Sequence, residues 1–182
     1  MKTICSILAS GFSTRFGRNK LLYKVHEKPL ICYLFDQIPF EYFDEVQVIT
    51  QYKEVCERAK EYGISSIINK NAHLGISNSI QLALKDCDQM MFVVADQPNL
   101  TKETIIRLIR NSDGKHIVSC EINHCLLNPM IFPSSYFDDL RKLTGDRGGK
   151  MIAMKQDCIC VAVEPDELVD VDFIGDIAKI KR

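Results

Sequence analysis

The chain has 182 residues, of which 46% are hydrophobic and 26% are charged, and its formal net charge is −1. This size and composition predict one globular domain, residues 1–182, with enough apolar residues for a substantial core. A net charge so close to zero gives no general attraction to nucleic acid or to a membrane surface, so an anion would need a local site. No apolar run approaches the roughly 18 residues of a membrane span, and the apolar start is interpreted as a first strand instead of a signal peptide. We therefore expect a cytoplasmic protein with no nucleic-acid or membrane partner.

Predicted strands and helices alternate along the first two thirds of the chain. Short apolar segments rich in β-branched residues predict strands, and several are apolar on both faces, as in buried parallel strands. These strands cover residues 2–9, 45–50, 65–69, 89–96 and 116–122. The helices predicted between them cover residues 29–37, 52–62 and 77–85, with a fourth beginning after Thr101.

Beyond Asn123 the pattern is less regular. Extended segments are predicted over residues 128–133, 158–164 and 169–172, and helices over residues 135–143, 147–155 and 173–182. The alternation of strands and helices predicts an α/β fold of three layers around a mostly parallel central sheet, with right-handed crossovers. Ligands of such folds bind at the carboxyl ends of the strands, so chemistry is expected in the loops there.

The eight cysteines lack the paired spacing of a disulfide framework, which predicts reduced and mostly buried thiols. One group resembles a metal site: His116, Cys120, His124 and Cys125. On the predicted strand the first two would lie about 13 Å apart. The C-x-x-C knuckle that is typical of structural zinc is also missing. We therefore interpret this group as core cysteines beside surface histidines.

The loop after the first predicted strand lies within LASGFSTRFGRNKLL, residues 8–22. It matches neither common phosphate-loop pattern, because Phe16 stands at the second glycine of Walker A and Ser13 at the second glycine of the dinucleotide fingerprint. Gly11 still permits close backbone approach, and the loop carries three cations, Arg15, Arg18 and Lys20. Backbone amides flanked by such cations are suited to a triphosphate. The alternative is a flexible surface loop with incidental charges.

Three aspartates occur at or near the ends of predicted strands. Asp96 ends the segment VVAD, whereas Asp170 and Asp172 lie two residues apart in LVDVDF, a spacing that puts side chains on one face of a strand. A carboxylate from each of two strand ends could hold one Mg²⁺ that bridges nucleotide phosphates, because this ion prefers carboxylate, phosphate and water oxygens. The alternative is that these aspartates cap helices or form turns.

Two further polar turns are candidates for ligand binding. In HLGISNSI, Gly75 precedes three polar residues, Ser77, Asn78 and Ser79. They predict a polar helix N-terminus that faces a base or ribose, or simply a well-capped helix. In LTGDRGGKMI, Asp146 and Arg147 lie in a glycine-rich loop before a predicted helix, where a purely structural turn is the alternative.

Together these segments resemble the nucleotidyltransferases that act on the molybdenum cofactor. LASGFSTRFGRNKLL is similar to the family signature L-A-A-G-x-S-x-R-x-G-x-x-K-L-L. The later motifs follow in the family's order over nearly the whole chain: G-x-S-x-S at Gly75 to Ser79, A-D-Q-P at Ala95 to Pro98, [GN]-x-P-x-x-F in NPMIFP, L-x-G-D-x-G at Leu143 to Gly148, and D-x-D at Asp170 and Asp172. The first motif is shared by many nucleotidyltransferases, whereas LTGDRG is similar to the cytidylyltransferase-like branch.

The resemblance implies a Rossmann-like nucleotidyltransferase fold and transfer of CMP from CTP to the terminal phosphate of molybdopterin or molybdenum cofactor, with release of pyrophosphate. It implies Mg²⁺ as the cofactor and a role in the maturation of molybdenum hydroxylases. The catalytic residues that it implies are Arg15, Lys20 and Asp96. The implied nucleotide-binding residues are Leu8, Ala9, Ser10, Gly11, Ser13, Arg15, Lys20, Asn78 and Ser79. The implied acceptor-binding residues are Asn128, Pro129, Gly145, Asp146, Arg147 and Gly148. The implied metal ligands are Asp96 with Asp170 or Asp172.

Three segments depart from the family pattern. Ser10 replaces the second alanine of L-A-A-G, NPM stands where many relatives have Gly-His-Pro, and DVDFIGD lacks the Thr-Pro of D-x-D-T-P-x-D. We expect activity to be retained, with the acceptor as the least defined substrate. We expect cytosine to be the preferred base, because L-A-S-G is nearer to the L-A-A-G of the cytidylyltransferase-like pattern than to the L-A-G-G of guanylyltransferases.

Two other functions stay open. One is a cofactor-binding chaperone that delivers modified cofactor to an apo molybdenum hydroxylase, which would then be its partner. The other is a nucleotidyltransferase that uses GTP, or a different phosphorylated acceptor such as those of nucleotide-sugar and isoprenoid pathways.

Overall fold

The computed structural model describes residues 1–181. The strands in this part of the chain are β1 (Thr3–Ala9), β2 (Lys24–Val25), β3 (Lys28–Pro29), β4 (Glu45–Thr50), β5 (Ser65–Ile68), β6 (Gln89–Val94), β7 (Ile117–Ile122), β8 (Cys125–Pro133) and β9 (Cys158–Ala162). β2 and β3 form a small antiparallel hairpin, and the others form one central sheet in the order β5-β4-β1-β6-β8-β7-β9. In that sheet β8 runs antiparallel to both of its neighbours, and the remaining pairs are parallel. The predicted mostly parallel sheet is confirmed.

Helices cover both faces of this sheet. The α-helices of the described part are α1 (Leu30–Phe35), α2 (Lys53–Glu61), α3 (Ile76–Ala83), α4 (Lys102–Asn111), α5 (Phe137–Arg141) and α6 (Lys150–Ala153). Alternate residues of β1 belong to different hydrophobic clusters: Cys5 and Ile7 pack with α1, α2 and α4, whereas Ile4 and Leu8 pack with α3, α5 and α6. Because β1 is buried on both faces, the molecule has three layers, as predicted.

Local sequence signals account for several helix ends. Thr101 caps α4, because its side-chain hydroxyl accepts a hydrogen bond from the Thr104 N–H at 3.2 Å. Gly63, expected to end α2, has a φ of +71°, a conformation that glycine adopts without a steric penalty. The shorter one-turn 3₁₀ helices occupy residues 20–22, 40–42, 72–74, 134–136 and 165–168.

The segment 169–172 was predicted as a strand, and this prediction is wrong. The residues are extended but lie outside the sheet, and the Val171 N–H donates to the carbonyl of Asp96 at 2.9 Å. Val171 is fully buried against Phe16 and Leu30, so the chain crosses the end of β6 and packs there instead of forming a ladder. The helix predicted over residues 173–182 is a 3₁₀ helix over Ile174–Lys179, and residue 182 lies outside the described residues.

The prediction for the cysteines is correct in part. All eight are free, and four of them are buried: Cys5, Cys32, Cys87 and Cys120. Burial raises the pKa of the Cys120 thiol to about 12, which makes it an uncharged core side chain. Cys125 and Cys160 are exposed, so "mostly buried" describes only half of the set. Across residues 1–181 no helix is long and apolar enough to cross a membrane.

Candidate active site

A cavity of about 530 Å³ lies at the carboxyl ends of β1 and β6. From β1 the chain continues to β4 and β5, which lie on one side of β1 in the sheet. From β6 it continues to β7, β8 and β9 on the other side, so the strand order reverses between β1 and β6. This is the point at which open α/β sheets bind their ligands. Eight of the nine predicted nucleotide-binding residues line the cavity: Leu8, Ala9, Ser10, Gly11, Ser13, Arg15, Lys20 and Ser79.

The loop after β1 is held in place by its own turn and by packing. The Ser13 carbonyl accepts hydrogen bonds from the N–H groups of Phe16 at 3.0 Å and Gly17 at 3.2 Å, and Ser13 adopts a φ of +55°. The Phe16 side chain is buried in a small cluster with Val25 and Leu30. These contacts support an ordered ligand-binding loop over a flexible surface loop.

Lys20 is the cation at the floor of the cavity, and only 10% of its side chain is exposed. Its Nζ lies 2.7 Å from Asp96 Oδ2 and 3.0 Å from Asp172 Oδ1. Burial by itself lowers the pKa of Lys20, but the two carboxylates outweigh that effect and the pKa is raised. Lys20 is therefore a permanently charged ammonium at neutral pH.

The other two cations of the loop have different surroundings. Arg15 Nη1 lies 2.9 Å from Asp172 Oδ2, with two thirds of its side chain exposed, so this ion pair contributes little stability and the guanidinium can reach a ligand. Arg18 lies over the ring of Tyr23, 4.5 Å from the centroid, and does not line the cavity. The structure therefore brings Arg15 and Lys20 to the site and leaves Arg18 outside.

Of the three predicted metal ligands, two contact the same cation and the third does not. Asp96 and Asp172 share the ammonium of Lys20, whereas Asp170 accepts a hydrogen bond from the Gln97 amide at 3.0 Å. Burial, and after it the nearby Asp96 carboxylate, raises the pKa of Asp170. Residues 1–181 contain no group of three or more His, Cys, Asp or Glu side chains placed to hold a metal by themselves, and this includes the cysteine–histidine group.

This donor set fits Mg²⁺ bound partly by substrate. Mg²⁺ is usually held by one or two carboxylates together with phosphate and water oxygens, and it does not need an all-protein cage. The paired carboxylates of Asp96 and Asp172 provide two hard oxygen ligands beside the loop that would hold a triphosphate.

A buried residue that no sequence motif indicated joins two walls of the cavity. Asn69 is 1% exposed, and its amide nitrogen donates to Ser79 Oγ at 3.0 Å and to Ser10 Oγ at 3.5 Å. Ser10 in turn donates to the Ile49 carbonyl at 3.1 Å. Asn69 follows β5 directly, so examining the carboxyl end of every predicted strand would have found it. Asn78, predicted to face the nucleotide, does not line the cavity.

Of the predicted acceptor-binding residues, one lines the cavity and the others do not. Asp146 lines the cavity, and its loop is fixed to α3 because the Ser77 N–H donates to the Gly145 carbonyl at 3.1 Å. Gly148 lies against the Ile76 side chain, and Arg147 is exposed. Asn128 and Pro129 lie in β8 and do not line this cavity.

Comparison with known proteins identifies the family. Residues 5–159 match the family model of the MobA-like NTP transferase domain, and the chain belongs to this family of nucleotidyltransferases. It is similar to a probable molybdenum cofactor guanylyltransferase of Pyrococcus horikoshii, with 27% identity over 81% of this chain and 76% of that protein. A Thermococcus kodakarensis protein of the same name is 35% identical over 64% of this chain and 57% of that protein.

A solved structure supports the fold. The chain is similar to Rv0371C of Mycobacterium tuberculosis, which was solved as a complex with manganese, with a TM-score of 0.79 and 19% identity over 99% of this chain and 98% of that chain. At this level of identity the likeness shows that the two proteins share one fold.

Proposed function

We propose that this member of the MobA-like NTP transferase family transfers a nucleoside monophosphate to the terminal phosphate of molybdopterin or molybdenum cofactor, with release of pyrophosphate. The observation that carries the proposal is the convergence of Lys20, Asp96 and Asp172 at the floor of a cavity lined by an ordered, cation-bearing loop. The names of the P. horikoshii and T. kodakarensis relatives support this class of acceptor. The product would serve the maturation of molybdenum hydroxylases.

The reaction needs positioning and charge neutralisation more than covalent chemistry by the protein. A phosphate oxygen of the acceptor attacks the α-phosphorus of the triphosphate, and the bond to the β-phosphate oxygen breaks. Lys20 is placed to balance the charge that develops on the departing pyrophosphate, and Arg15 to hold the outer phosphates. Because Lys20 is almost buried, its charge acts in surroundings of low dielectric constant, where it is worth more than in water.

A Mg²⁺ ion held by Asp96 and Asp172 would neutralise phosphate charge and align the two reacting phosphates. Asp170 is the less suitable ligand, because burial raises its pKa and so disfavours the ionised form that a metal needs. The relative solved with manganese supports a divalent cation in this fold.

Two observations favour different bases. The loop sequence L-A-S-G is nearer to the cytidylyltransferase pattern, whereas the relatives are named guanylyltransferases. CTP is the substrate that the sequence predicts, and GTP is the alternative that the comparisons favour. Each base therefore needs its own assay.

The proposal is tested by incubating the protein with molybdopterin or molybdenum cofactor, Mg²⁺ and each triphosphate in turn, and following pyrophosphate. Release that depends on the acceptor supports nucleotidyl transfer, and its rate with CTP and with GTP identifies the base. Tight cofactor binding without turnover would instead support a chaperone that delivers cofactor to a hydroxylase. Release with a sugar or isoprenoid phosphate, and none with molybdopterin, would contradict the proposed acceptor.

The metal assignment has a test of its own. Asp96→Asn keeps the size of the side chain and removes its charge, so we expect turnover to be lost while the circular dichroism spectrum is retained. Asp157→Asn, at an exposed position away from the cavity, is the matched control and should turn over normally. Normal turnover by Asp96→Asn would rule out Asp96 as a metal ligand.

A further inference from the structure

We propose that Asp146 recognises the paired N–H donors of a 2-amino-4-oxopyrimidine ring bound in the cavity. This inference rests on the proposed function, because that ring occurs both in the guanine of GTP and in the pterin of the acceptor. It adds a specificity-determining residue to a site whose other carboxylates act on phosphates.

Asp146 differs from the other two carboxylates that line the cavity. Asp96 and Asp172 both contact the ammonium of Lys20, and Asp172 also contacts Arg15. Within the part of the chain that the structure describes, the Asp146 carboxylate contacts no cation and accepts no hydrogen bond, and it is exposed at the cavity wall. Both of its oxygens are therefore available to a ligand.

The turn that carries this carboxylate is fixed by the backbone around it. Gly75 has a φ of +89°, and a Cβ added there would lie 2.4 Å from the Gly145 carbonyl oxygen and 2.6 Å from Asp146 Oδ1. The turn that carries Asp146 thus sits directly on the bare Cα of Gly75. The Ser77 N–H holds the same turn through the Gly145 carbonyl. A turn that is already ordered loses little freedom when a ligand binds, which favours its use in recognition.

The hydrogen-bonding pattern of the ligand follows from the two free oxygens. The edge of a 2-amino-4-oxopyrimidine presents a ring N–H beside an amino group, which are two parallel donors that match one carboxylate. Hydrogen bonds to an ionised acceptor are about twice as strong as neutral ones. Cytosine has one donor beside two acceptors on the corresponding edge and cannot make the paired contact. Phe12, an exposed aromatic residue that also lines the cavity, offers a surface on which a flat ring can stack.

The experiment measures equilibrium binding by calorimetry, without turnover. Two ligand pairs differ at the amino group: pterin against lumazine, and GTP against ITP. We expect the wild-type protein to bind pterin, GTP or both at least about tenfold more tightly than the partner that lacks the amino group. Asp146→Asn should reduce that preference to about one, because the amide places a donor against the ligand's donors. Asp157→Asn, the exposed control, should keep it.

The two ligand pairs show whether the recognised ring belongs to the acceptor or to the nucleotide. A preference confined to pterin over lumazine assigns Asp146 to the acceptor, and one confined to GTP over ITP assigns it to the nucleotide. The proposal is overturned if the wild-type protein shows no preference in either pair, or if Asp146→Asn keeps the full preference. Asp146→Ser, which removes the carboxylate with a smaller side chain, repeats the test should the asparagine variant fold poorly. Absence of pyrophosphate release would contradict only the proposed function, because the binding preferences do not depend on turnover.

Discussion

Lys20 combines a buried position with two carboxylate partners, and this makes its contribution measurable. Lys20→Ala would leave Asp96 without its cation, would leave Asp172 with only the exposed Arg15, and would remove the charge that balances the leaving pyrophosphate. We expect kcat to fall at least about tenfold, since losing about 1.4 kcal/mol of transition-state stabilisation has that effect. Steady-state pyrophosphate release measures it.

Lys24→Ala is the control for this prediction. Lys24 is a largely exposed lysine of β2, outside the residues that line the cavity, and its side chain pairs with the exposed Glu27. Its removal should leave kcat unchanged. If Lys20→Ala also left kcat unchanged, Lys20 would have no part in the transfer step.

Asp170 gives a prediction on pH and stability. Burial raises its pKa above that of the unfolded chain, so its ionisation costs more in the folded protein. The free energy of unfolding should therefore fall as the pH rises through the folded pKa, and the penalty should persist at pH 7. We expect Asp170→Asn to be more stable than the wild-type protein at pH 7 and equally stable at about pH 3, below both pKa values.

Urea unfolding at the two pH values, without divalent cations, measures this difference. The amide keeps an oxygen for the Gln97 hydrogen bond, so the comparison isolates the charge. Equal stabilities at pH 7 would contradict the raised pKa. Loss of turnover in Asp170→Asn would identify Asp170, not Asp172, as the second metal ligand.

Sequence patterns predicted many of the residues that line the cavity but missed one that joins its walls. Arg15, Lys20 and Asp96 were predicted because a loop cation or a strand-end carboxylate has an evident chemical use. Asn69 was missed because a polar residue at the end of a short, exposed strand resembles an ordinary turn residue. Its role depends on its hydrogen bonds to Ser10 and Ser79. Ser10 is 59 positions away in sequence and Ser79 is 10 positions away, so the three side chains meet only in the folded chain.

At the scale of elements, α3 links the turn at Gly145 to Asn69, and through Asn69 to Ser10 after β1. Its N-terminal end contacts the turn at Gly145, and Ser79 within it contacts Asn69. Gly75→Ala would force a Cβ into the Gly145 carbonyl and would place an alanine at a φ of +89°. We expect a destabilisation of about 1–3 kcal/mol, the usual cost of such backbone strain.

Thermal unfolding measures that cost, and Gly175→Ala is the matched control. Gly175 has open space around its Cα and no left-handed φ, so an alanine there should change the stability little. Because the strain acts on the Asp146 turn, Gly75→Ala should also weaken acceptor binding. If the Gly75→Ala protein were as stable as the Gly175→Ala protein, the turn at Gly145 could move away from Gly75 with no loss of stability.

Elements with a strong periodic pattern were predicted well, and elements defined by tertiary contacts were not. The buried strands β1 and β6 have apolar runs that are typical of a strand between two helical layers. The segment 169–172 has the same alternating pattern, but Val171 is buried by Phe16 and Leu30 instead of by a neighbouring strand. The start of β8 was missed because its pairing with β7 depends on a two-residue turn at Asn123 and His124, both with positive φ.

At the scale of the whole molecule, the site joins parts of the chain that are distant in sequence. Arg15 and Lys20 come from the first loop, Asp96 from the end of β6, and Asp172 from the segment after the last strand of the described chain. The ion pairs of Asp172 span more than 150 positions in sequence. A ligand that contacts all of these groups binds only the folded chain, so it should stabilise the fold as a whole.

We expect nucleotide binding to raise the unfolding temperature in the presence of Mg²⁺. At a ligand concentration one hundred times Kd the stabilisation is about 2.7 kcal/mol. For a chain of this length that corresponds to a shift of roughly 5–10 °C. Differential scanning fluorimetry with CTP and with GTP therefore compares the two bases without needing an acceptor, and the larger shift at equal concentration identifies the preferred nucleotide.

The Lys20→Ala protein makes this comparison specific to the site. Its cavity keeps the backbone of the first loop but lacks the buried ammonium, so both nucleotides should stabilise it much less than they stabilise the wild-type protein. Lys24→Ala should respond as the wild-type protein does. Equal shifts for Lys20→Ala and the wild-type protein would mean that the triphosphate binds elsewhere. A shift that depends on this one ammonium would place the triphosphate in the cavity formed by the first loop, the end of β6 and the C-terminal segment.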